Sequence, residues 1–359
     1  MRNRDKARSQ SKRHGFTLLE LLVVISIIAM LMSLILPAIQ NARRAARRTE
    51  CLNNLRNCSV AMASYVEAQR RYPAAGYWAG IPGSRYPSHN WVVDLLPYLD
   101  RRDIADRWDL SVAYDAAPNH ALGDLAIPVL TCPEDSSLQG TGDLSYAVNG
   151  GIGYTTFLHS VHDVPVDAFG NAIDLNGNGT LAAVDDAQDG PLSDRQMLKA
   201  LGLFFMENYG EHKGVVRHYN TNFIRDGFSN TLMLIENART GRNPAQPQEN
   251  WATPFAHKTA VFFTSDVCTA NVCSSGNVDY TMANSGPWEI NAGLSQEEGR
   301  SPFASSEHSG GVNVAFADGS VRFLSEDIDG PVYVALFSPS SSILDGTPLQ
   351  QIIPSGNDF

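Results

Sequence analysis

Residues 13–36 read R-H-G-F-T-L-L-E-L-L-V-V-I-S-I-I-A-M-L-M-S-L-I-L, and one position in that run is out of place. From Phe16 to Leu36 there are 21 residues, of which only Glu20 is ionisable. Coiled as an α-helix at about 1.5 Å per residue, the stretch is roughly 30 Å long, the thickness of a bilayer core. A carboxylate placed there costs about 2.5–3.5 kcal/mol on insertion scales, so Glu20 needs a compensating partner and marks a function.

The flanks set the orientation. The first 15 residues carry Arg2, Arg4, Lys6, Arg8, Lys12 and Arg13 against the single acid Asp5. Basic residues beside an apolar helix stay on the cytoplasmic side, which predicts an inside N-terminus and an exported bulk. An ordinary secretory signal has a shorter apolar region followed by a small-residue cleavage site. Here the small residue, Gly15, comes first. A cut after Gly15 makes Phe16 the new N-terminus, with its amine four residues from Glu20.

These residues carry a resemblance. His14-Gly15-Phe16-Thr17-Leu18-Leu19-Glu20 resembles the prepilin signal of type IV pilins and type II secretion pseudopilins. The resemblance implies cleavage after Gly15 by a prepilin peptidase and methylation of Phe16. It also implies assembly with other pseudopilin subunits, as a homo- or heteropolymer at the cytoplasmic membrane. Glu20 is then the fifth mature residue, and Pro37 takes the place where many such helices carry a kinking proline. The simpler alternative, an uncleaved signal anchor, leaves the spacing of glycine and acid unexplained. In the pilin-like reading the ammonium of Phe16 on one subunit neutralises Glu20 on its neighbour. Losing one partner of such a pair in a low-dielectric setting costs about 3–5 kcal/mol.

Beyond Pro37 the helix is expected to run on to about residue 70. Cys51, Leu55, Cys58, Met62 and Tyr65 recur at steps of four and three, the apolar stripe of an amphipathic helix. A kink or local melt is expected at Pro37, which lacks an amide donor. From Pro73 onward short apolar runs alternate with Gly, Pro, Asn and Asp, reading as a loop-rich head. Residues 90–108 predict a short helix, a turn and a second helix; 126–133 and 144–150 predict buried strands; and 221–237 predicts a turn followed by a strand. Asp318-Gly319 between apolar runs predicts a two-residue hairpin with Phe316 opposite Val321 and Val314 opposite Phe323. The expected fold class is α+β and pilin-like. A long N-terminal α-helix, membrane anchor plus amphipathic half, packs on a mainly antiparallel β head. The expected organisation is a basic leader at 1–15 and a helix at 16–72, transmembrane over about 16–36. A head at 73–330 with an insert near 160–215 follows, and then a C-terminal tail at 331–359.

The head carries a second resemblance. His308-Ser-Gly-Gly-Val-Asn-Val-Ala-Phe-Ala-Asp318-Gly319 resembles the H-x9-D-G ending of the bacterial domain of unknown function 1559. N-N-L-R-N, L-L-P-Y-L-D, L-T-C-P-E-D and D-G-F-S-N-T-L-M-L-I-E resemble other blocks of that family. This resemblance implies a pilin-like head on a long N-terminal helix, with no established biochemical activity.

Composition bounds the remaining readings. Residues 1–48 hold 10 of the 27 basic residues and 2 of the 38 acids, leaving a formal charge of −19 on the rest. That acidity argues against a phosphate-binding face, so no nucleic acid is expected. Five cysteines in an exported chain permit disulfides. Cys268 and Cys273 are spaced to close a small loop, Cys132 can reach the helix that holds Cys51, and buried free thiols are the alternative. Within the insert, Asp174, Asn176, Asn178, Thr180 and Asp185 place oxygens at positions 1, 3, 5, 7 and 12 of a loop with glycine at 6. That is the ring of donors a Ca²⁺ ion takes, and the alternative is a plain Asn-Gly turn. His159, His162, Asp163, Glu211 and His212 lack telling zinc spacing. There is no G-x-S-x-G, P-loop, H-E-x-x-H or C-x-x-C pair, and no enzyme is expected. His308 is expected to bond a turn in a loop, with Asp318 at the far end of the hairpin. The reading is therefore a structural subunit, with a membrane-tethered, extracytoplasmic binding module as the alternative.

Overall fold

The computed structural model describes residues 17–81, 84–152, 175–176, 193–208, 221–240, 242–243, 245–263, 280–299, 301–347 and 349–351. Gly15, Phe16, Asp174, Asn178, Thr180, Asp185, Cys268 and Cys273 lie outside the described residues. The chain divides into two compact units, Met1–Ala46 and Arg47–Phe359, and a single helix, α1 (Leu18–Gln69), contributes to both.

In the first unit every described residue is exposed, from Thr17 to Ala46. This half of α1 is long and apolar enough to cross a membrane. Its hydroxyls are satisfied internally: Ser26 Oγ donates to the Leu22 carbonyl at 2.8 Å and Ser33 Oγ to that of Met30 at 2.7 Å. That matters in hydrocarbon, where no water can serve them. Pro37 sits inside uninterrupted helix, so the local melt expected there is absent. One missing amide donor removes one hydrogen bond, and the flanking turns carry the helix through.

In the second unit the rest of α1 buries Cys51, Leu55, Cys58, Met62 and Tyr65. They lie against one face of a five-stranded sheet built from β3 (Tyr146–Gly151), β5 (Leu232–Glu236), β6 (Ala260–Phe262), β7 (Gly311–Phe316) and β8 (Val321–Ser325). The spatial order is β6-β3-β5-β7-β8, antiparallel except for the β3–β6 pair. The two-residue side-chain alternation of strands sorts the core into two layers. Tyr146, Val148, Leu234 and Ala315 join the α1 side, while Ala147, Ile235, Val312, Val314 and Phe316 join the opposite side. An irregularity in register between Leu232 and Leu234 lets these two residues, which regular alternation would put on one face, serve opposite layers.

The opposite layer is closed by α7 (Gly330–Phe337), with Tyr333, Val334, Ala335, Leu336 and Phe337 buried. The C-terminal segment expected as a tail from residue 331 thus begins as part of the core. Its sequence, P-V-Y-V-A-L-F, is apolar on all sides, as suits a helix covered all round. Pro331 in the first turn costs nothing, because that amide has no helical partner. Asn149 binds the layers together: its Nδ2 donates to the Leu232 carbonyl at 2.8 Å and to that of Phe337 at 2.7 Å.

A smaller sheet, order β2-β1-β4, combines β1 (Gly76–Ile81), β2 (Ser84–Asn90) and β4 (Met206–Asn208). Along the chain α2 (Trp91–Leu95), α3 (Arg102–Ala105) and α4 (Ala117–Gly123) follow β2, α5 (Asp194–Leu201) lies between β3 and β4, and α6 (Ala256–Thr259) lies between β5 and β6. Asn90 caps α2, its side-chain oxygen accepting from Val92 N at 3.1 Å.

Two local expectations are corrected. Residues 126–133 form no strand. Pro128 opens a 3-10 turn through Leu130, whose amide donates to Ile127 O at 2.9 Å, since proline fixes φ and cannot join a ladder. The 311–325 hairpin exists, but its register is one residue off the expected one: Val314 faces Arg322, Asn313 faces Phe323 and Ala315 faces Val321. The loop holds three residues. Gly319 N closes a turn onto Phe316 O at 2.9 Å, Gly319 adopts φ +81°, and Phe316 N donates to Ser320 O at 2.9 Å. Asp318 accepts from Ser320 N at 2.8 Å, which favours this bulged loop over the tighter turn. The shift puts Phe323 on the α1 face, where the Arg48 guanidinium lies 3.6 Å from its ring centroid.

Candidate functional site

The first candidate is the start of α1. Thr17 and Glu20 bond reciprocally: Thr17 N and Thr17 Oγ1 each donate to Glu20 Oε2 at 2.9 Å, and Glu20 N donates to Thr17 Oγ1 at 3.2 Å. This is a capping box, in which the first and fourth residues satisfy each other's orphaned groups. The carboxylate sits where the helix dipole is positive. Glu20 therefore has a local partner within its own chain, an arrangement written in the sequence as T-x-x-E and missed in its reading.

The second candidate is buried in the head. Cys51 on α1 is joined to Cys132, which follows the 3-10 turn at Pro128, with the Cα atoms 4.7 Å apart and the two cysteines 81 positions apart in sequence. His308, in the loop before β7, puts its Nε2 3.4 Å from Cys132 Sγ and 3.4 Å from Oε1 of Glu236 at the end of β5. Glu236 is 1% exposed and His308 6%. Asn313 of β7 fixes the carboxylate, its backbone amide donating to Oε2 at 2.7 Å and its Nδ2 to Oε1 at 2.9 Å. The two sulfurs, the imidazole nitrogen and the carboxylate oxygen all lie within 4.8 Å of one another. Tyr146 donates its hydroxyl to the Cys51 carbonyl at 3.1 Å; burial, and then the negative charge of Glu236, push its pKa well above the usual phenol range.

His308 lies in a loop, where its backbone amide donates to Ser306 Oγ at 3.2 Å, while its imidazole is drawn into the cluster and does not meet Asp318. The two stand at opposite ends of β7, with Asp318 at the hairpin tip. Glu236 and Asn313 are absent from the sequence reading. A glutamate closing a five-residue buried strand is the one signal that could have drawn attention to Glu236, since a buried carboxylate needs partners. Cys58 plays no part: it is buried among α1 neighbours, donates to the Val129 carbonyl at 3.5 Å, and burial pushes its thiol up to about 12. Of the proposed calcium loop only Asn176, with its neighbour Leu175, is described.

A family model described as a protein of unknown function (DUF1559) matches residues 40–330, and one for the prokaryotic N-terminal methylation motif matches residues 10–36. No curated protein and no solved structure matches the chain. The methylation motif implies processing by a prepilin peptidase and a membrane-associated N-terminal helix ahead of the head. By a match that takes in every element from the second half of α1 to β8, the chain belongs to the DUF1559 family, and it carries a prepilin-type N-terminal methylation motif.

Proposed function

We propose that the chain is a structural pseudopilin-like subunit, cleaved after Gly15, N-methylated at Phe16, and assembled through α1 in a type II secretion-like or pilus-like system. It would sit in the cytoplasmic membrane as a single-pass protein with its N-terminus inside and its head outside. The observation that carries this reading is the capped carboxylate at the head of an exposed apolar helix. Holding Glu20 at the first turn leaves it next to the amine that cleavage creates, where a neighbouring subunit's Phe16 ammonium can replace the Thr17 bonds. Only a correctly staggered neighbour does so, and the charge encodes register. The loop from Asp174 to Asp185 is proposed as a Ca²⁺ site of the head, resting on its donor spacing alone.

The test is mass spectrometry of the N-terminal peptide from native membranes. N-methyl-Phe16 as the first residue supports the reading. An intact leader on a monomeric protein overturns it in favour of a membrane-tethered binding module.

A further inference from the structure

We propose that Cys51, Cys132, His308 and Glu236 form a binding site for one thiophilic divalent cation of the zinc class when the two cysteines are reduced, so that the disulfide and the metal are alternative occupants of one cluster. The inference is independent of how the N-terminus is processed.

A disulfide alone needs two cysteines. It does not explain a buried imidazole and a buried carboxylate set against the sulfurs, because each polar group carried out of water costs free energy unless well bonded. The bonds His308 makes here are poor by that standard. Its Nε2 is shared between Cys132 Sγ and Glu236 Oε1 at 3.4 Å each, whereas an N–H···O bond is usually about 2.7–3.2 Å. These separations instead match the edges of a ligand tetrahedron. With Zn–N and Zn–O near 2.0–2.2 Å and Zn–S near 2.3 Å, tetrahedral N–O and N–S edges come to roughly 3.3–3.6 Å. Two edges are therefore already in place, and release of the sulfur–sulfur bond frees the cysteines to complete the set.

The surroundings suit such a site. The donor set, two thiolates with imidazole and carboxylate, is the soft and borderline mixture that zinc-class ions take. Asn313 orients the carboxylate through two hydrogen bonds, the kind of outer support that metal-ligating carboxylates carry. The four residues come from α1, the loop after the Pro128 turn, β5 and the loop before β7, so a bound ion would tie together the same elements as the disulfide. Cys132 and His308 keep 4% and 6% exposure, which marks the side from which an ion enters.

The chemistry balances simply. Before oxidation, or after thiol–disulfide exchange with a dithiol reductant that is itself oxidised to a disulfide, both cysteines are thiols. Cation binding forms two sulfur–metal bonds and releases the two thiol protons to solvent. Reoxidation by a disulfide donor removes two electrons from the sulfurs and expels the ion.

The experiment uses the full chain in detergent, reduced with a phosphine, freed of metal with a chelator, and titrated with Co²⁺, followed by displacement with Zn²⁺. One equivalent of Co²⁺ should bind, with a thiolate-to-cobalt charge-transfer band and the intense visible bands of tetrahedral cobalt. The oxidised chain should show neither. His308→Ala and Glu236→Gln should each weaken Co²⁺ binding at least tenfold, while both still form the Cys51–Cys132 bond on oxidation, which reports a native fold. His308→Cys, which keeps a soft ligand, should retain the band. Absence of the band in the reduced parent overturns the proposal. So does an affinity that neither His308→Ala nor Glu236→Gln changes, because two thiols alone would then account for binding.

Discussion

Breaking the Cys51–Cys132 bond should cost the head several kilocalories per mole, and the amount follows from chain length. The bond closes a loop 81 residues long in sequence. In the loop-entropy treatment a cross-link of that span removes about 15 cal/mol/K from the unfolded ensemble, or about 4.5 kcal/mol at 25 °C. That is roughly three orders of magnitude in the folding equilibrium, and a large share of a typical domain's stability. For a head of this size the melting midpoint should fall by about 7 °C. The assay is urea and thermal unfolding of the full chain in detergent with a chelator present, oxidised against reduced, with Cys132→Ala as the genetic equivalent. The native near-ultraviolet circular dichroism should barely change, because the effect acts on the unfolded state. A difference below about 1 kcal/mol between oxidised and reduced protein would refute the reasoning. It would mean that the unfolded chain already holds these segments together, or that the native bond is strained by as much as it gains.

Three further outcomes follow from the same structure. Glu20→Val should leave the melting of the head unchanged and cut recovery of assembled fibres by two orders of magnitude or more, the equivalent of about 3–5 kcal/mol for a broken low-dielectric pair; undiminished fibre recovery removes the register role. Millimolar Ca²⁺ should raise the melting temperature of the parent and leave Asp174→Ala unmoved, as read by calorimetry. Burial pushes up the carboxyls of Asp135, Asp226 and Glu298. Each holds its proton more tightly folded than unfolded, so its stabilising contribution is present below the ordinary carboxylate range and is lost as pH climbs through the raised value. The melting temperature should carry a component that falls from about pH 4 toward neutrality, and Asp135→Asn should flatten it.

The features legible in the sequence are those that depend on near neighbours along the chain. The steps of four and three from Cys51 to Tyr65 mark the face of α1 that the structure buries. The run at 144–150 and the turn-then-strand at 221–237 emerge as β3 and as a 3-10 turn followed by β5. The hairpin was legible, but its register was not. Asp-Gly serves both a two-residue turn and a three-residue loop with a bulge, and the choice rests on the Asp318 bond to Ser320. The short helix α7 hid because an element apolar on every side has no period to read. The buried cluster was only partly visible. Cys132 was legible as a partner for the helix that holds Cys51, and His308 stood out by itself, but Glu236 is recruited by Asn313 from 77 residues away. Such pairing is a property of the sheet order β5-β7, which local sequence does not encode.

Cys51 is the first buried residue of α1 as the helix enters the head, with Arg47 paired to Glu134 one turn before it. A tensile load travelling down the helix therefore meets a covalent link before it reaches Leu55, Cys58, Met62 or Tyr65. Those apolar contacts can shear one turn at a time, whereas the link must break as a single bond. The oxidised head should hold its helix under a steady pull that peels it from the reduced one, and the thiol state would then set the mechanical grade of the head.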